Sequence, residues 1–240
     1  MIWSAGILPA FYRMPEPLDI LYEDNHLLVV NKPAGILSQG DATGDRCLLE
    51  ICRDYIRQKF NKPGNVFLGL VHRLDRPVSG VILFARTSKA AARLSEQFRK
   101  RTTKKIYHAL VEGRQPTEEG ELEDWLTGDA HRLKSMVSSR HKPGARHARL
   151  RFHTLRSEAG RTLLEVELLT GYKHQIRAQL AARGCPVVGD FKYDHRRKPA
   201  RPQRVMDGHA ICLHARSLTL THPTRREEVA FEAPVPEYFF

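Results

Sequence analysis

His72-Arg73-Leu74-Asp75-Arg76-Pro77-Val78-Ser79-Gly80 runs directly into Val81-Ile82-Leu83-Phe84-Ala85. The second stretch is a continuous apolar run of strand length, which predicts a buried strand. Pro77 and Gly80 shape a tight turn in front of it. That turn carries a carboxylate, Asp75, between two arginines, Arg73 and Arg76. Two nearby cations favour the ionised carboxylate, and an ionised Asp on a rigid turn can act as a nucleophile or base. An Arg-Asp-Arg salt bridge bracing the loop accounts for the same residues, because structural ion pairs make such patterns too.

Upstream, residues 20–22 and 27–30 flank a turn at Asp24-Asn25 and read as a hairpin. Pro33 and Gly35 stop its second strand. Residues 48–60 carry a helical apolar stripe: Leu48, Leu49, Ile51, Cys52, Tyr55, Ile56 and Phe60. Residues 66–74 read as extended. Downstream, residues 88–101 form a helix with Ser88 as N-cap and Ala91, Leu94 and Phe98 on one face. Residues 105–112, 150–155 and 163–169 read as strands, the last two joined at Ala159-Gly160. Residues 174–183 make a short helix stopped by Gly184. A final hairpin, residues 217–221 and 228–231, turns around Pro223. Hairpin-linked strands with interspersed helices predict an α+β domain with a mixed, mostly antiparallel sheet flanked by helices.

The chain has 240 residues, enough for one large domain or two small ones. No apolar run reaches the length of a membrane span. The stretch 1–17 reads as an N-terminal extension, and Met14 is an alternative start to Met1. It lacks the basic n-region of a signal peptide. Cys47, Cys52, Cys185 and Cys212 form no CxxC pair, which speaks for reduced core thiols in a cytoplasmic protein rather than zinc. Lys plus Arg outnumber Asp plus Glu by 39 to 27, a net charge of +12 that attracts polyanions. The cations cluster in residues 86–105, 132–151 and 192–204; the last cluster, poor in apolar residues, is the best candidate for a mobile loop.

Four blocks in order resemble the RluA family of RNA pseudouridine synthases. They are Asn31-Lys32-Pro33-Ala34-Gly35; His72 to Gly80; Lys104-Lys105-Ile106-Tyr107-His108-Ala109-Leu110-Val111-Glu112-Gly113; and Leu169-Thr170-Gly171-Tyr172-Lys173-His174-Gln175-Ile176-Arg177. The resemblance covers residues 18 to 236 and implies a pseudouridine synthase catalytic domain over 18–240. It implies Asp75 as the catalytic aspartate, Tyr107 as the aromatic that stacks on the target base, and Arg177 as the partner of the aspartate. It puts Arg73 in the space left by the flipped nucleotide, with Lys32, Arg76, His174, Gln175 and Ile176 also on the substrate side. Taken singly, Tyr107 reads as a sheet residue, Arg177 as an exposed helix residue, Lys32 as solvated and His72 as a hydrogen-bonded structural histidine. The chain departs from the usual pattern at Val78, where threonine is common, at Tyr172, where arginine is common, and at Gln179, where histidine is frequent.

The implied reaction breaks the C1′–N1 bond of a uridine, turns the base and joins C1′ to C5. No redox change occurs, so no cofactor and no metal is called for. The target base must leave its stack, which costs a few kcal/mol; basic side chains and an aromatic platform offset that cost. The implied partner is a tRNA or rRNA stem-loop, bound by a monomer without an S4-type RNA-binding module. Two other readings compete: a catalytically silent RNA-binding or RNA-chaperone protein, which would have lost the aspartate or tyrosine, and a base glycosylase, which would release free base.

Overall fold

The computed structural model describes residues 18–113, 117–129, 134–194 and 210–239. The expected N-terminal extension and residues 195–204 of the third basic cluster lie outside them. Eleven described strands form a single sheet. In chain order they are β1 (Ile20–Glu23), β2 (Leu27–Lys32), β3 (Gly69–Leu70), β4 (Ser79–Ala85), β5 (Lys104–Glu112), β6 (Glu119–Asp129), β7 (Lys134–Ser138), β8 (Arg146–Glu158), β9 (Arg161–Leu168), β10 (Leu213–Thr221) and β11 (Glu228–Glu232). Three α-helices accompany them among the described residues: α1 (Leu48–Lys59), α2 (Ser88–Lys100) and α3 (Gln175–Ala182). The spatial order is β1-β2-β4-β10-β5-β9-β8-β6-β7, with β3 on β4 and β11 on β10. All pairings are antiparallel except β4 with β10. The α+β fold with a mixed, mostly antiparallel sheet is therefore as the sequence predicts.

The strands near β4 are buried on both faces. Leu28, Val30, Ile82 and Phe84 pack with Leu48, Cys52 and Ile56 of α1. The alternate residues Leu27, Val29, Val81 and Leu83 pack with Ala90 and Leu94 of α2. Beyond β5 one face is covered. Ala109, Val111, Leu150, Leu164 and Val166 turn inward onto Ile176 and Leu180 of α3. The opposite face is an open polar groove lined by Lys104, Ile106, Glu121, Arg151, Glu165 and Glu167.

β4 and β10 meet in parallel through two residue pairs, Ser79 with His214 and Gly80 with Ala215. Gly80 has φ +114°, and a Cβ there would lie 2.2 Å from the carbonyl oxygen of Ala215. This crossing demands a glycine on both conformational and steric grounds. Beside it the Ser79 hydroxyl lies 2.9 Å from His214 Nδ1 and 3.1 Å from the Tyr238 hydroxyl.

Three local expectations need correction. The N-cap of α2 is Thr87, whose hydroxyl accepts from the Ala90 amide at 3.2 Å, so Ser88 is already helical. Within the extended stretch 66–74, Gly69–Leu70 is the paired strand. The strands β6 and β7 have no counterpart in the sequence reading. β6 is rich in acids and turns few apolar residues inward, chiefly Leu122 and Leu126. Its pairing with β8 is supported by cross-strand ion pairs, Arg149 and Arg151 on Glu121 and His147 near Glu123.

Candidate active site

Asp75 sits on the turn that enters β4. The Val78 amide donates to the Asp75 carbonyl at 3.0 Å, and the Ser38 hydroxyl bridges the Leu74 carbonyl and amide at 2.7 and 3.1 Å. The Asn31-to-Gly35 segment holds the turn from below. The Gly35 amide donates to the Arg76 carbonyl at 2.8 Å, and Arg76 Nε donates back to the Gly35 carbonyl at 2.9 Å. Lys32 is fully buried and its ammonium donates to the carbonyls of Pro33, Ile36 and Arg76 at 2.9, 2.7 and 3.1 Å. Burial pulls the Lys32 pKa down to about 7, with Asp75 pulling the other way. Three carbonyls for three N–H donors favour the ammonium form.

The two arginines flanking Asp75 in sequence are not its ion partners. Arg73 is exposed. Arg76 turns away to Asp45, at 2.7 Å. The cation on Asp75 is Arg177, 102 residues away on α3, whose terminal nitrogen donates to Asp75 Oδ2 at 3.0 Å. Arg177 is itself clamped by Asp190, with Nε to Oδ2 at 2.6 Å and the other terminal nitrogen to Oδ1 at 2.8 Å. Burial opposes its charge, but Asp190 and Asp75 outweigh burial and raise its pKa. The Tyr193 ring lies 5.0 Å from the guanidinium carbon.

His174, in the left-handed region at φ +54°, precedes α3. Its Nδ1 lies 2.9 Å from the Tyr193 hydroxyl and its Nε2 3.6 Å from Asp75 Oδ2. Burial pushes its pKa down to about 4, against the pull of Asp75. The imidazole is therefore neutral at pH 7. Tyr107 projects from β5 onto the inner side of the sheet; burial, then the charge of Asp75, raises the pKa of its phenol. The phenol is therefore protonated at neutral pH.

The structure thus brings Asp75, Tyr107, Arg177 and His174 together. It places Lys32 beneath the loop rather than in solvent. Gln175 is buried, accepting from Thr170 Oγ1 at 2.8 Å and donating to the Arg149 carbonyl at 3.0 Å. Ile176 belongs to the core. Lys32, Gln175 and Ile176 therefore shape the site from behind. His72 accepts from the Leu83 amide at 2.9 Å and stacks on Phe98, a structural role. Of the departures from the usual pattern, Val78 is core, and Gln179 donates to Asp124 Oδ2 at 2.8 Å, tying α3 to β6. The sequence reading passed over Asp190 and Tyr193. A signal existed for Asp190: it follows Val187-Val188-Gly189 and opens a stretch rich in lysine and arginine.

Residues 26–182 match the family described as RNA pseudouridylate synthase. This chain belongs to that family. It is an isomerase that acts on RNA. It is 36% identical over 231 residues to the dual-specificity RNA pseudouridine synthase RluA of Haemophilus influenzae, covering 92% of this chain and 96% of that one. It is 36% identical over 237 residues to the ribosomal large subunit pseudouridine synthase D of Neisseria meningitidis, covering 95% of this chain and 61% of the relative. Among solved structures, human RNA pseudouridylate synthase domain containing 4 superposes with a TM-score of 0.75 at 26% identity, over 92% of this chain and 90% of that one. Among the described residues no helix is long and apolar enough to cross a membrane.

Proposed function

We propose that this pseudouridine synthase uses Asp75 as the nucleophile or base that isomerises a uridine flipped out of a stem-loop, and that residues 18–240 form its catalytic domain. The observation that carries the reading is the asymmetry of the carboxylate. Oδ2 is held by Arg177, while Oδ1 has no hydrogen bond to any described residue, and the side chain is 26% exposed. One oxygen is fixed, and the other keeps its electron pairs clear of every described donor. A rigidly held, ionised group of this kind needs little reorganisation when a substrate arrives. Its anchor comes from another element, so the loop needs no flanking arginine to keep the charge.

The remaining roles follow from protonation state. The Tyr107 phenol is neutral, so its ring can stack on the extruded base; its hydroxyl can take the C5 proton only by handing its own proton to an acceptor, and the nearby Asp75 carboxylate, whose charge it feels, is that acceptor. Atoms balance without a co-reactant: the C1′–N1 bond breaks, C1′–C5 forms, the C5 proton leaves and N1 gains one. Arg177 positions Asp75, and His174 and Tyr193 frame the same side. Arg73, exposed beside Asp75, is free to enter the space that the flipped nucleotide vacates. The target is a stem-loop of rRNA or tRNA. The relative named for the ribosomal large subunit supports rRNA.

The test is release of tritium from RNA labelled at uracil C5. Asp75→Asn should abolish release while folding and RNA binding survive. Tyr107→Phe should keep RNA affinity and lower the single-turnover rate by roughly two orders of magnitude, the lower end of the range for a lost proton-transfer group. Near-normal release by Asp75→Asn would remove the assignment, and a pure affinity defect in Tyr107→Phe would argue against a catalytic hydroxyl. Product retained as pseudouridine rather than free base excludes the glycosylase reading.

A further inference from the structure

Three cations gather at the rim of the site around Tyr172. Arg101 caps α2 and donates to the Tyr172 hydroxyl at 3.0 Å. The guanidinium carbons of Arg101 and Arg146 lie 6.0 and 5.8 Å from the centre of the Tyr172 ring. Lys105 Nζ lies 3.6 Å from where a Cβ on Gly171 would stand, next to the same ring in sequence. These cations come from the C-terminus of α2, from β5 and from the start of β8, so the tertiary fold assembles the cluster.

Among the described residues none of the three has a carboxylate partner. Several arginines elsewhere are paired with acids: Arg76 with Asp45, Arg149 and Arg151 with Glu121, Arg183 with Asp124. The pKa of Lys105 is pulled down by burial and then by Arg101, with no acid pulling it back. Cations that repel one another without a counter-charge favour any anion placed between them. Arg101 spends one donor on the Tyr172 hydroxyl and Arg146 lies near the ring, so both guanidiniums keep further donors, and the fork of an arginine matches a phosphate. Arg101 has a further oddity. Its φ is +58°, in the left-handed region at a helix C-terminus where glycine is usual. A glycine fits that conformation better, so Arg101→Gly removes the side chain without straining α2.

The cluster borders the reacting groups. Lys105 and Tyr107 are two apart on β5 and share a face. Tyr172 is two residues before His174, which stands 3.6 Å from Asp75. We propose that Arg101, Lys105 and Arg146, held around Tyr172, form a clamp for the phosphates of the RNA strand beside the flipped uridine. The clamp rests on the proposed reaction at Asp75 and names the residues that hold its substrate. Tyr172 is a positioning residue: its hydroxyl and ring hold two arginines from other elements.

The test compares the wild type with Arg101→Gly/Arg146→Gln, Tyr172→Leu and a control, Arg156→Gln. Arg156 lies exposed on the β8–β9 hairpin, paired with Glu158. The probe is a fluorescein-labelled RNA hairpin with uridines in its loop, titrated across a salt series, with tritium release at saturating RNA alongside. The double variant should bind about tenfold more weakly, with a salt slope lower by roughly 1.4, two contacts at about 0.7 each for single-stranded RNA. Tyr172→Leu should lie between the two, and the control should match the wild type. Release at saturating RNA should be unchanged in the Arg156→Gln control, and the melting temperature of the double variant should not fall, because glycine suits position 101. An unchanged slope in the double variant or an equal loss in Arg156→Gln would each overturn the clamp. A wild type that releases tritium while the double variant binds normally sinks the clamp alone; a wild type that neither binds nor releases sinks the clamp and the reaction at Asp75 together.

Discussion

The two sides of the sheet solve burial differently. Around β2 and β4, helices cover both faces, and the strands are apolar on both. Around β8 and β9 one face meets α3 and the other meets water, so inward Leu150, Phe152, Leu164 and Val166 alternate with charged or partly exposed residues. The doubly covered side carries Asp75 on a turn braced from below by Lys32. The singly covered side carries Tyr107 and, packed on it, Arg177. The site exists because the two sides meet at the short parallel contact of β4 with β10. Each side therefore supplies half of the proposed site, and the junction sets their spacing.

The largest expected effect breaks the junction. In Gly80→Ala the new Cβ would fall against the Ala215 backbone, at 2.2 Å from its oxygen and 2.6 Å from its nitrogen. Backbone cannot step aside as a flexible side chain can. We expect a loss of more than about 4 kcal/mol, in the exceptional range for one substitution, read by urea denaturation or as a failure to accumulate folded protein. Gly160→Ala, at the β8–β9 hairpin on the singly covered side, has the left-handed φ of +75° but no atom within 4 Å of a new Cβ. It should cost about 1 kcal/mol, the conformational term alone. Equal costs at the two positions would break the comparison.

The next effect isolates the singly covered side. Asp190→Asn removes the charge that fixes Arg177 through two hydrogen bonds, in a pair whose side chains are 4% and 1% exposed. Stability should fall by roughly 3 kcal/mol, as when a buried ion pair loses one partner. Turnover should fall about 10- to 100-fold, the size of a lost orienting contact, with RNA affinity nearly unchanged. Calorimetry beside single-turnover kinetics checks both. A variant with full turnover would show that Asp75 needs no help in orienting its partner.

The smallest effect is a pH window. Burial pushes the pKa of His72 down to about 3, and those of His174 and His214 down to about 4. In the unfolded chain each sits near 6.5. Between about 6.5 and 4 the unfolded chain binds more protons, so stability is full above that range and is lost as pH falls through it. His72 must stay neutral to accept from the Leu83 amide, and His214 lies within the junction itself. Urea midpoints should correspond to a loss on the order of 1 to 3 kcal/mol from pH 7.5 to pH 5, for partly coupled groups. Flat stability over that range would mean that the three histidines are not held neutral.

Helices α1 and α2, the first hairpin, β4, β5 and the β8–β9 hairpin were legible in the sequence, since local pattern and final burial agree there. β6 and β7 were not. Glu119, Glu121 and Glu123 have weak strand preference, and β6 forms because β8 offers it a complementary row of Arg149, Arg151 and His147. Thr87 was displaced by one residue from the expected cap because Ser88 fits the same rule.

From the sequence by itself came the α+β class, the turn that presents Asp75, and the ordered blocks that single out Tyr107 and Arg177. These rest on short-range patterns, in which a few neighbouring residues carry the whole signal. Tertiary structure alone decided the partners. Arg73 and Arg76 flank Asp75 in sequence, yet successive side chains on an extended turn point apart, and the ion pair went to Arg177. Lys32 looked solvated but is buried, because the turn above it leaves three carbonyls that only an interior cation can reach. Asp190, Tyr193 and the cluster around Tyr172 lie on separate elements. Their contacts depend on how the two sides of the sheet pack, which no local spacing records.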